Sequence, residues 1–268
     1  MTKILIILFL FIQAFCIGQT DSAFTLLRTV EGEFSFFTAD YLGNLFLVNK
    51  NGQLKKLNVK GDSMGVFNDV RRYGKLYSID AANPLKTLLF YKDFKTIVVL
   101  DRFLNVVNTI DLRKQNILQV RAISQSYDNN IWIFDEQESK LKKIGEDGKV
   151  LSETSDFRLV FGEAPMPVRI IDQDKFVYLY DEQKGMFIFD YYGALKNKLP
   201  LTGWNNIQVI NGNILGRLQN KILSYVPGTM QIKESVLPVK LQQAEKMQIT
   251  PRGIYVLDET AIRLYSLQ

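Results

Sequence analysis

A compact apolar segment, rich in β-branched and aromatic residues and usually closing on a polar one, recurs six times along the chain. The copies are 45–49 (LFLVN), 88–92 (LLFYK), 131–135 (IWIFD), 177–181 (VYLYD), 214–218 (ILGRL) and 254–258 (IYVLD), and their starts are 43, 43, 46, 37 and 40 residues apart. A period near forty residues marks a structural unit that cannot bury its apolar surface alone and must stack on its neighbours.

The flanks repeat as well. Each copy follows a turn signal: Gly43-Asn44, Asn83-Pro84, Asp128-Asn129-Asn130, Asp172-Gln173-Asp174, Asn211-Gly212-Asn213 and Pro251-Arg252-Gly253. Asx and Gly accept the dihedrals of tight hairpins, so these turns join antiparallel strands. A further strand-like segment follows each copy (53–59, 95–101, 140–145, 186–191, 221–226 and 261–267), and later turns lead to a fourth, such as 150–154 after Gly148-Lys149. No stretch carries an apolar stripe of helical period, so little helix is expected. Four strands in forty-odd residues is the blade of a β-propeller, and six copies make six blades. The sixth copy ends after three strands, whereas 23–30 (AFTLLRTV) is a surplus strand ahead of blade one. The N-terminal strand is therefore expected to complete the last blade and close the ring without a free edge.

The all-β arrangement resembles six-bladed propellers of the NHL and TolB-like kind, whose blades carry a similar GN-[IL]-[YF]-V-x-D pattern. Blade five departs from that pattern, with Gly216-Arg217 inside its apolar segment. Enzymes with such folds include calcium-dependent lactonases and sialidases; the resemblance extends to architecture and assigns no site.

Composition excludes several chemistries. The sequence holds no histidine and one cysteine. That removes Ser-His-Asp and Cys-His catalysis, imidazole metal sites and imidazole proton shuttles. Lys3 followed by the apolar run 4–12 and by Cys16-Ile17-Gly18 reads as a secretory signal peptide over 1–18, leaving 19–268 as a single propeller domain. Nine apolar residues are short for a membrane-spanning helix, and lipidation at Cys16 stays open as an alternative. Cleavage after Gly18 removes the cysteine, so a protein sent to the periplasm or outer membrane owes nothing to disulfides. Removal of Lys3 takes the net charge from +5 to +4, and no run of like charges favours nucleic acid. Peripheral membrane association stays open.

Candidate binding residues fall in the connections between blades: Arg71, Arg72 and Tyr73, then Phe157, Arg158 and Phe161 in a long apolar stretch, and Trp204. Aromatic residues beside arginine are what interface hot spots are made of, yet Phe157, Phe161 and Trp204 equally suit plugs between blades. Asp135, Asp181 and Asp258, each followed by Glu, are candidate Ca²⁺ ligands if their turns share one face, or else close their own hairpins. No cofactor is implied beyond that ion. Lys55-Lys56 and Lys142-Lys143 alternate with leucine and isoleucine, the pattern of a half-exposed strand. The leading expectation is a non-enzymatic propeller that binds another envelope protein or complex. A calcium-dependent carboxylate hydrolase and a glycan binder acting through Trp204 and Tyr73 are the alternatives.

Overall fold

The computed structural model describes residues 24–266; the leader assigned to 1–18, with its Cys16, lies outside them. The described residues form six antiparallel sheets of four strands each. The first strand of the chain, β1 (Leu26–Glu31), stands apart from the blade that follows it. Blade one is β2 (Phe34–Ala39), β3 (Leu45–Asn49), β4 (Leu54–Leu57) and β5 (Ser63–Phe67). Blade two is β6 (Ser78–Asn83), β7 (Lys86–Tyr91), β8 (Thr96–Asp101) and β9 (Val106–Asp111). Blade three is β10 (Val120–Gln125), β11 (Ile131–Asp135), β12 (Lys140–Ile144) and β13 (Val150–Glu153). Blade four is β14 (Arg169–Gln173), β15 (Phe176–Asp181), β16 (Gly185–Asp190) and β17 (Leu195–Leu199). Blade five is β18 (Asn205–Ile210), β19 (Asn213–Leu218), β20 (Lys221–Val226) and β21 (Gln231–Val236). Blade six has β22 (Lys246–Thr250), β23 (Gly253–Leu257) and β24 (Ala261–Tyr265), with β1 as its outer strand. β1 pairs antiparallel with β24 from Leu26 opposite Tyr265 to Glu31 opposite Ala261, so the ring closes as the strand count implied.

The core is distributed rather than central. Side chains alternate along the second strand of each blade: Leu88 and Phe90 pack toward blade three with Ile123 and Ile131, whereas Leu89 and Tyr91 pack toward blade one with Phe46 and Val48. The same sharing recurs at each of the other four junctions. A strand sandwiched between two neighbours needs apolar residues on both faces, which is why the repeat reads as an unbroken apolar run. The fourth strands face water, and β13 and β21 are exposed throughout.

Polar side chains of the innermost strands fasten blade to blade. Asp80 accepts from the Gln125 amide at 2.8 Å, Gln208 accepts from the Ile249 amide at 2.7 Å, and Gln248 accepts from the Ala39 amide at 2.8 Å. The Gln248 bond spans the seam between blades six and one.

One sequence expectation needs correction, and one irregularity gains a cause. Lys56, Lys142 and Lys143 are buried, not half-exposed. Their alternating positions face a neighbouring blade or turn: Lys56 donates to the Arg102 carbonyl at 3.0 Å, Lys142 pairs with Asp135 at 2.8 Å, and Lys143 pairs with Asp128 at 2.7 Å. In blade five, glycine inside β19 has a structural cause. A Cβ on Gly216 would lie 2.6 Å from Trp204 Cε3, so the strand gives up a side chain to admit the indole.

Candidate functional site

Antiparallel strands turn at alternate ends, so the between-blade connections and the hairpins joining second to third strands share one face of the disc. Short α-helices build three of those connections, α1 (Val70–Tyr73), α2 (Phe157–Phe161) and α3 (Val239–Gln242), and a 3-10 helix, Leu112–Gln115, a fourth. Each lies where the chain must cross from the rim of one blade to the axis of the next.

Of the aromatic residues singled out there, Tyr73, Phe157 and Trp204 point inward. They are 5%, 2% and 3% exposed, so none presents a ring to a partner or a sugar. Phe157 stacks on Phe189 with centroids 5.2 Å apart, and Phe161 is half-buried 5.1 Å from Phe187. Tyr73 lies against Tyr91, with Arg72 5.0 Å from its centroid. Trp204 accepts a 2.7 Å hydrogen bond at its carbonyl from Tyr180, whose phenol burial pushes up to about 12. These rings are the plugs between blades. Arg71, Arg72 and Arg158 remain at the surface, and Arg158 is tied to Asp156 at 2.6 Å.

What the same connections do expose is aliphatic. Leu159 is 85% and Val160 53% exposed on α2, and Met166 and Val168 continue the ridge toward the axis.

The three aspartates are committed to their own turns. Asp135 accepts from the Gln137 and Glu138 amides, Asp181 from Gln183, Lys184 and Met166, and Asp258 from Thr260 and Ala261. Asp258 also pairs with Arg263. Among the described residues no three carboxylates come together as a metal cradle.

The apolar ridge leads directly to the axial channel, which the innermost strands line. Arg169 and Lys246, the first residues of β14 and β22, face a cavity of about 200 Å³ with Asn206 and Glu182 in its walls. Lys246 Nζ sits 3.2 Å from the Phe36 ring centroid. Burial, then the facing Arg169, holds this amine well below the ordinary lysine value. Neither Lys246 nor Arg169 has an ion-pair partner among the described residues. Arg121, further round the channel, is paired with Glu136 at 3.1 Å. The mouth thus carries Arg169 without an ion-pair partner, beside an amine whose charged form burial disfavours, with Glu182 the carboxylate in the same wall. Sequence reasoning passed over both, although Arg169, Asn206 and Lys246 each stand eight residues before a repeat copy.

No protein-family model matches the chain, and no curated relative matches it. Solved structures show that it shares the β-propeller fold. Virginiamycin B lyase from Staphylococcus aureus, solved as a catalytically inactive histidine-to-alanine variant with quinupristin, superposes with a TM-score of 0.67 at 13% identity, covering 91% of this chain and 100% of that one. The Neurospora crassa Pan2 WD40 domain gives 0.68 at 12% identity over 92% and 97%. The WD40 propeller domain of Doa1 gives 0.58 at 13% identity over 84% and 75%. Among the described residues no helix is long and apolar enough to cross a membrane.

Proposed function

We propose that this chain is an exported, non-enzymatic β-propeller that docks a protein partner in the bacterial envelope on its between-blade face. The observation that carries the reading is the ridge of Leu159, Val160, Met166 and Val168, exposed beside a channel mouth where Arg169 has no ion-pair partner among the described residues. An apolar surface rimmed by charge is what a protein interface needs, and an acidic side chain of the partner would meet Arg169 at the mouth. Export rests on the N-terminal pattern of Lys3, the apolar run and Gly18. The non-enzymatic reading is supported by the absence of histidine from the sequence, set against a lyase of similar fold whose inactive variant has lost one. Affinity capture from detergent-solubilised envelope tests it. Wild type should retain a stoichiometric partner that a Leu159→Asp, Val160→Asp variant loses. Recovery of the wild type strictly alone, or unchanged capture by the variant, removes the proposal.

A further inference from the structure

The opposite face, formed by the hairpins joining first to second and third to fourth strands, carries a second cluster that partner docking leaves unused. Tyr192 at the tip of the β16–β17 turn is 95% exposed, and Tyr127 in the β10–β11 turn is 66% exposed. Tyr127 stacks on Tyr191 with centroids 4.3 Å apart and planes 11° apart. Single exposed tyrosines are ordinary on a surface. A group of them around one open cleft of about 890 Å³, with Phe176 and Lys175 in the wall, is a built feature.

The platform is rigid. Asp172 receives the Tyr191 hydroxyl at 2.7 Å, the Trp132 indole N–H at 2.8 Å, the Ser126 hydroxyl at 3.0 Å and the Tyr127 amide at 3.3 Å. Lys143, also in the cleft wall, lies 5.2 Å from the Tyr127 centroid and 4.7 Å from that of Trp132. Those bonds hold the Tyr191 ring and the Tyr127 backbone before any ligand arrives, which lowers the ordering cost of binding. Across the Tyr127–Tyr191 wall lies a recess of about 390 Å³ that includes Gln173 and Asp174. The side chains of Asp174 and Lys175 make no hydrogen bond or ion pair among the described residues. One offers acceptors and the other donors at the rim of the rings.

We infer that a polysaccharide chain binds across this cleft and the adjoining recess, with pyranose faces stacked on Tyr127 and Tyr192 and hydroxyls bonded to Lys175 in the cleft and Asp174 in the recess. The C–H face of a pyranose is flat and apolar, while its rim is a ring of hydroxyls. It therefore matches an aromatic plane bordered by exposed polar groups that can exchange water for hydroxyls. An open cleft suits a ligand that stays half solvated. A fully apolar molecule would leave the polar rim desolvated without partners. The inference is independent of the docking proposal, since the two sites occupy opposite faces.

Isothermal titration of the full chain with chitotetraose, cellotetraose and maltotetraose provides the test. At least one should bind. Tyr192→Ala and Tyr127→Ala should each weaken that binding tenfold or more, while Tyr192→Phe, which keeps the ring, stays within about twofold of wild type. Tyr192 is almost wholly exposed, so its replacement leaves the fold intact, and an unchanged thermal transition verifies that. Absence of binding by all three sugars up to about 10 mM, or binding that survives both alanine substitutions, overturns the inference.

Discussion

The Nζ of Lys246 lies 3.2 Å from the centre of the Phe36 ring, so closing the ring between blades six and one places an amine on an aromatic face. Burial and Arg169 depress its proton affinity. The unfolded chain protonates this lysine up to about 10.5, whereas the folded chain releases the proton earlier. Between those two values the unfolded state holds the extra proton, so this residue's cost to stability is greatest at low pH and fades as pH rises toward 10.5. Lys246→Met should therefore raise the melting midpoint by about 2–4 °C at pH 7. The gain should shrink toward zero near pH 10.5. Paired melts of wild type and variant across that range check it; a gain that grows with pH contradicts the assignment.

Gly216 and Trp204 make a fitted pair. Replacing Gly216 by alanine drives a methyl group to 2.6 Å from the indole and 3.0 Å from Ile207 Cδ1. Overpacking of this kind costs about 1–3 kcal/mol, read from the urea midpoint at unchanged slope. Gly216→Ala combined with Trp204→Phe should recover part of that loss, because the smaller ring vacates the slot.

The blades were legible because the second strands answer to one physical demand, burial on both faces, and Leu88 to Tyr91 record it residue by residue. Ring closure followed from counting strands at the two ends. The site was less legible for two reasons. Alternation along β12 cannot distinguish water from a carboxylate waiting in the adjacent turn, so Lys142 read as exposed while it faces Asp135. Trp204 sits in a polar connection, and the glycine that makes room for it lies twelve residues later, across a hairpin. Arg169 and Lys246 carry no local motif at all; only their placement on innermost strands gives them meaning.

Gln248 bridges the seam by accepting from the Ala39 amide and donating to the Ala39 carbonyl, both at 2.8 Å. Gln248→Leu leaves those two backbone groups without this partner, at about 1–3 kcal/mol. The strand pairing of β1 with β24 persists in the variant, so the ring should stay closed at equilibrium. Amide exchange at Ala39 should accelerate more than at Gln125, whose amide is held by Asp80 at a different junction. Equal acceleration at both would show that the seam is not a separate unit.

Lys142 and Asp135 form a buried pair, with side chains 5% and 2% exposed, and Glu138 approaches the same ammonium at 3.0 Å. Lys142→Met strands Asp135 among apolar neighbours, with only the Gln137 and Glu138 amides to hold its charge. Loss of one partner from a buried pair costs about 3–5 kcal/mol, so this single change should be among the most damaging in blade three. Asp135→Asn keeps the acceptor for both turn amides and removes the stranded charge. The double variant Lys142→Met, Asp135→Asn should therefore be more stable than Lys142→Met alone, by about 1–3 kcal/mol in a double-mutant cycle. Additive losses would mean that the aspartate serves its turn and owes nothing to the lysine.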